Sequence, residues 1–119
     1  MTFKTLDNFS KNIKGKLRFD YCLKNHTWFN IGGNAKIFFV PETLNELRDF
    51  LLNIKKDHKN LFIMGAGSNL LISDNTKNRI FIKLGKNFNK ISLTKDNVII
   101  AGCSILDKNV SDFACENHL

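Results

Sequence analysis

Gly65-Ala66-Gly67-Ser68-Asn69 is the stretch of this chain whose residue types are best suited to chemistry. Its two glycines permit backbone angles and close approaches that a side chain blocks. Successive N–H groups in such a turn can converge on an anion. Ser68 and Asn69 add a hydroxyl and an amide at the rim. Together these make the composition of a phosphate cradle. The competing reading is a tight structural turn with no ligand, and the Ser-Asn pair, which a plain turn does not need, weighs against it.

The flanks decide what kind of cradle this is. Leu61-Phe62-Ile63-Met64 reads as a buried strand, too short for a helix and closed by glycine. Leu70-Leu71-Ile72 reads as a second strand leaving the turn. A P-loop needs a Gly-Lys-Ser/Thr ending, and none is present. A dinucleotide fingerprint needs a third glycine, a following helix and an acidic residue about 20 positions on. Leu70 stands in place of that glycine, a strand follows, and residues 84–90 contain no acid. A Rossmann reading therefore fails on three counts. Asp74, at the end of the second run, is better placed to order the loop than to face an anion.

The other reactive side chains carry less. Cys22, Cys103 and Cys115 are odd in number and widely spaced, with no C-x-x-C or paired-His pattern. They read as reduced, buried thiols of a cytoplasmic protein, with no metal site and no disulfide framework. His26 lies beside Trp28 and Phe29, which read as core, and a lone His there reads as structural. No apolar run approaches membrane-spanning length and the N-terminus has no signal-type apolar core, so no membrane partner is expected. Net charge is +7, from fifteen Lys and three Arg among 119 residues. The lysines are scattered apart from Lys55, Lys56 and Lys59. Nucleic-acid binders concentrate such charge on one face with arginine and aromatics. A solvated lysine-rich surface is the reading here, with a non-catalytic basic binding module as the alternative.

The elements that must position the turn follow from periodicity. Phe3, Leu6, Phe9 and Ile13 recur at helical spacing over 2–13, with Gly15 as a stop. Residues 17–23 show no clear period. Gly32-Gly33 demands a turn or a close approach. Residues 36–40 read as a strand closed by Pro41. Thr43 and Glu46 form a capping box opening a helix striped by Leu44, Leu47, Phe50, Leu51 and Ile54. The order 36–40, 43–57, 61–64 fits parallel strands with a crossover helix. Residues 79–84 form another strand, and 89–94 with 97–101 a hairpin around Lys95-Asp96. Ser104 and Asp107 are expected to open a final helix carrying Ile105, Leu106, Val110, Phe113 and Ala114. The fold class is α+β.

Two segments together carry a family resemblance. Asn25-His26-Thr27-Trp28-Phe29-Asn30-Ile31-Gly32-Gly33-Asn34-Ala35 resembles the N-T-x-x-x-I-G-G-x-A segment of the UDP-N-acetylenolpyruvoylglucosamine reductases (MurB), with His26 intruding into the Asn-Thr pair. Residues 65–74 resemble that family's G-x-G-S-N-L-L-V-x-D flavin loop. Val98-Ile99-Ile100-Ala101-Gly102 resembles its V-x-A-G strand end, with Ser104 where a second glycine is common.

The resemblance implies an FAD-binding domain of the vanillyl-alcohol-oxidase (PCMH) type, not Rossmann. Residues 1–26 would be an N-terminal helix and lead-in, and 27–119 the first portion of that domain. Gly65, Ala66, Gly67, Ser68, Asn69 and Leu70 would hold the FAD pyrophosphate. NADPH would be the hydride donor and a UDP-sugar the substrate, in peptidoglycan precursor synthesis. The family's proton-donating Ser and its charge-stabilising Arg and Glu belong to a later part without counterpart here. No catalytic residue is therefore expected in this chain, which reads as an N-terminal fragment, inactive by itself, with room for a second chain to complete it.

Overall fold

A computed structural model of the protein describes residues 3–119, the side chains of residues 3–5, 56 and 58 excepted. The chain divides into two units, Met1–Lys83 and Leu84–Leu119.

The first unit opens with α1 (Phe3–Lys11), in which Leu6 is buried and Phe9 half-buried. Position 2 and the Phe3 side chain lie outside the described set. β1 (Lys16–Cys22) follows, a strand where no period was legible. It is the antiparallel edge partner of β2 (Asn34–Val40), and its Leu17, Phe19 and Tyr21 do alternate with Arg18 and Asp20, the pattern of an antiparallel strand with one open face. α2 (Leu44–Asn53) leads through a 3-10 turn at Lys55–Asn60 to β3 (Leu61–Met64), and β4 (Ile80–Lys83) closes the sheet.

The sheet order is β1-β2-β4-β3. β4 lies parallel to both β2 and β3. The strands before and after α2 are therefore parallel, as the crossover pattern requires, but β4 separates them. The interior strands β2 and β4 are covered on both faces, which is why they read as unbroken apolar runs. β3 is an edge strand. Phe62 is 42% and Ile63 60% exposed, so the expected buried strand is buried only at Met64.

Strand alternation sorts the core into two layers. One face carries Ile37, Phe39, Ile80 and Ile82, all buried, together with Phe50 and Ile54 from α2 and its C-terminal turn. Phe9, Phe39 and Phe50 meet there as three rings, Phe39 and Phe50 with centroids 4.4 Å apart. Leu47 is half-buried, while Leu44 and Leu51 of the expected stripe point outward. A second cluster joins Phe38, Met64 and Phe81 of the opposite face with Ala35, Leu23 and Ile72, the last two from loops rather than helices.

Glu46 fixes the start of α2. Its N–H donates to Thr43 Oγ1 at 3.2 Å, the first half of the expected capping box. Its carboxylate accepts from the N–H groups of Glu42 (2.8 Å), Lys14 (2.8 Å) and Gly15 (3.2 Å). One side chain thus caps the helix and ties down the α1–β1 turn.

The second unit holds the antiparallel hairpin of β5 (Ile91–Leu93) and β6 (Ile99–Ala101), then α3 (Asp107–Glu116). α3 starts later than expected. Leu106 is its N-cap with no side-chain bond, and Ser104 instead donates its hydroxyl to the Gly85 carbonyl at 2.8 Å. The three cysteines are free as expected but exposed rather than buried. No helix among the described residues is long and apolar enough to cross a membrane.

Candidate flavin-binding loop

β3 ends at buried Met64 and the chain turns through residues 65–69, where its glycines differ in role. Gly65 is exposed, and a Cβ built on it meets nothing within 4 Å. Gly67 is buried with φ +79°, in the left-handed region, and a Cβ there would lie 2.0 Å from the His26 carbonyl oxygen. Gly67 is therefore glycine because another stretch of backbone occupies its side-chain space. Gly65 leaves an open approach.

The chain does not leave the turn as a strand. Residues 70–73 pair with neither sheet, and burial alternates along them. Ile72 is buried in the loop-covered core, Leu70 is half-buried and Leu71 exposed.

Residues 25–35 and the glycine loop are joined along their length. Trp28 N–H donates to the Gly67 carbonyl at 3.0 Å, and Gly33 N–H to the Ser73 carbonyl at 3.2 Å. Thr76 is buried and its Oγ1 donates to the Asn34 carbonyl at 3.0 Å. A Cβ on Gly33 would fall 2.0 Å from the Asp74 carbonyl oxygen, so Asp74 orders the loop through its main chain. Gly33 meeting Asp74, and Gly67 meeting His26, are reciprocal contacts between the two segments.

His26 has the structural role expected of it. Its Nε2 lies 3.2 Å from Tyr21 Oη, and its ring lies 4.6 Å from that of Phe38. Burial, and then the charge of Lys83, hold its pKa below the ordinary 6.5, so the ring is neutral near pH 7. Trp28 and Phe29 were expected in the core but are 75% and 57% exposed. What the fold uses from this stretch is main chain and the small Thr27, not the large rings.

Among the described residues, the N–H groups of Ala66, Gly67, Ser68 and Asn69 donate to no protein acceptor, and the Ser68 and Asn69 side chains are exposed. No Lys or Arg lies between Lys59 and Lys77 in the sequence. Within residues 65–69 themselves an anion would meet backbone dipoles and the Ser68 and Asn69 side-chain donors. Beside Leu70 is a concavity of about 180 Å³ floored by Phe62 and Phe81, with Arg79 4.8 Å over the Phe62 ring. Ligand pockets commonly measure about 300–1,000 Å³, so this hollow holds no whole dinucleotide.

Sequence reasoning identified the loop but missed its support: the His26 carbonyl, the Trp28 N–H and the Thr27 hydroxyl. Main-chain partners leave no mark of their own. Their only trace is Gly67, required opposite the His26 carbonyl.

No protein-family model matches the chain. It is 48% identical over 119 residues to the UDP-N-acetylenolpyruvoylglucosamine reductase of Pelagibacter ubique, a match covering 100% of the chain and 39% of that relative. The proteins of the same name from Rickettsia prowazekii and Rickettsia bellii are 44% and 42% identical over 107 residues, 90% of the chain. Those matches cover 36% and 35% of the two relatives. The similarity spans both segments that build the loop, and the chain is similar to the N-terminal part of these UDP-N-acetylenolpyruvoylglucosamine reductases, spanning little more than a third of their length.

Proposed function

We propose that residues 27–119 are the N-terminal portion of an FAD-binding domain of the vanillyl-alcohol-oxidase type, with residues 65–70 as the pyrophosphate cradle. The domain would serve a UDP-N-acetylenolpyruvoylglucosamine reductase acting in the cytoplasm in peptidoglycan precursor synthesis. The joining of residues 25–35 to residues 65–76 carries this reading. The two stretches that resemble the family's motifs form one device in space. That device leaves Gly65 open and, among the described residues, the N–H groups of residues 66–69 without protein acceptors. A loop of this kind fits an anionic diphosphate without needing a cation.

When bound, the flavin would carry hydride from NADPH to the enolpyruvyl group of the UDP-sugar. The share of residues 65–70 is to fix the diphosphate by N–H donation while the brace holds those donors in place. Fixed donors cost no reorganisation when the ligand arrives. The remaining length of the relatives has no counterpart in these 119 residues, and proton donation and charge stabilisation are assigned there. By that reading the chain alone does not reduce the substrate. A basic binding module is not favoured, since similarity runs through the whole chain rather than through a lysine-rich patch.

The test is a titration of the purified chain with FAD, followed by flavin fluorescence and by the emission of Trp28, the single tryptophan. The unsubstituted protein is expected to bind. Gly65→Val should fold normally, because its Cβ meets open space, yet lose affinity by roughly tenfold or more, about 1.4 kcal/mol. Unchanged affinity in folded Gly65→Val would overturn the placement of the diphosphate.

A further inference from the structure

Thr27 lies between the two residues that touch Gly67. His26 contributes the carbonyl that fills the side-chain space of Gly67, and Trp28 contributes the N–H that holds the Gly67 carbonyl at 3.0 Å. Thr27 itself is one of two buried polar residues among those described, at 4% exposure. Its Oγ1 donates to the Ile31 carbonyl at 2.9 Å and lies 3.3 Å from the Lys24 carbonyl. Asn30 N–H donates back to the Thr27 carbonyl at 3.2 Å. A buried hydroxyl is retained where its hydrogen bond is made, because burying it unpaired is costly. Here that bond closes the 27–31 turn, and the turn aims His26 and Trp28 at the loop.

We infer that Thr27 is a positioning residue for the diphosphate cradle, setting the conformation of residues 65–69 through the main chain of its two neighbours. Its hydroxyl bonds the Lys24 and Ile31 carbonyls, while its Cα lies against the space a Gly67 side chain would take. The inference rests on the flavin reading above and adds a determinant outside the glycine loop. Thr27→Val keeps the shape and removes the donor, whereas Thr27→Ser keeps the donor and removes a methyl group.

The experiment measures FAD affinity and amide hydrogen exchange in the unsubstituted chain, Thr27→Val and Thr27→Ser. Thr27→Val is expected to weaken FAD roughly tenfold, about 1.4 kcal/mol, and to speed exchange at Trp28 N–H while the amides of β2 and β4 are unaffected. Thr27→Ser is expected to restore both. Equal FAD affinity in folded Thr27→Val overturns the inference and leaves the flavin reading standing. Failure of the unsubstituted chain to bind FAD overturns both. Global unfolding of Thr27→Val also overturns the inference, since the hydroxyl would then serve the whole fold rather than the loop.

Discussion

The two units of this chain draw on similar residues and reach different interiors. In the first, thirteen apolar side chains among the described residues are buried besides Pro41, and they form two layers across one sheet. In the second, none of residues 84–119 is buried, although the segment contains Ile91, Leu93, Ile99, Val110 and Phe113. A strand-helix-strand arrangement gives each interior strand two covered faces. A two-stranded hairpin offers one face and two edges, and such ribbons are marginal in water without further cover. Apolar content alone does not make a core. Layers do, because each face must find a partner.

Core truncation separates the units most strongly. Phe39→Ala should cost about 3–5 kcal/mol, the range for emptying a packed aromatic site. Phe113→Ala on α3, where the ring is only half-buried, should cost no more than about 1 kcal/mol. Chemical denaturation of both variants measures the gap, and equal losses would erase the distinction.

A finer comparison sets Gly67 against Gly65. The sequence suggests that a side chain at Gly67 blocks the ligand. The structure places it against the His26 carbonyl instead, so Gly67→Ala should separate the two segments and lose about 2–3 kcal/mol through backbone strain and clash. Gly65→Ala should stay within about 0.5 kcal/mol, as for a featureless surface site. Thermal melts decide it: a Gly67→Ala variant as stable as Gly65→Ala would mean that the two segments are not held together as described.

Glu46 sharpens the account of the helix-covered face. Burial acts to raise its carboxyl, but the N–H groups of Glu42, Lys14, Gly15 and Thr43 outweigh this and hold it below the ordinary 4.5. A depressed carboxylate stabilises the fold above its unfolded value and loses that contribution as pH falls through the folded value. Glu46→Gln should lower stability by about 1 kcal/mol at neutral pH and flatten the loss below pH 4.5. A denaturation series against pH reads both.

The smallest effect is expected on the loop-covered face. The fold favours neutral His26, so the unfolded chain takes up its proton first on acidification. The contribution is complete above 6.5 and declines as pH falls from there through the folded value. Melting temperature should therefore drop modestly between pH 7 and 5, and His26→Phe, which keeps a ring against Phe38, should remove that slope. A slope that persists in the variant would assign it to another group.

Much of this was legible in residue order. Continuous apolar runs marked β2 and β4, and Thr43 with Glu46 marked the start of α2. Alternation around Lys95-Asp96 marked the hairpin, and Gly-x-Gly-Ser-Asn marked the loop. β1 went unread although Leu17, Phe19 and Tyr21 alternate with Arg18 and Asp20, the pattern of an antiparallel edge strand with one open face. The start of α3 was misread because the Ser104 hydroxyl found the Gly85 carbonyl, a partner nineteen residues away. Trp28 and Phe29 were misplaced because hydrophobicity ranks a residue for burial without saying whether a partner surface reaches it.

What the sequence determined by itself is local chemistry: which stretches propagate as helix or strand, where a cap fits, and where backbone freedom is required. It placed glycines at positions 33 and 67 without saying what they make room for. Only the tertiary structure decided that, by bringing the Asp74 carbonyl to Gly33 and the His26 carbonyl to Gly67. It likewise put β4 between β2 and β3, leaving Phe62 and Ile63 on an edge. The physical reason is the same in each case. Backbone groups are identical along the chain, so which two of them meet is set by how the layers pack, not by the residues that carry them.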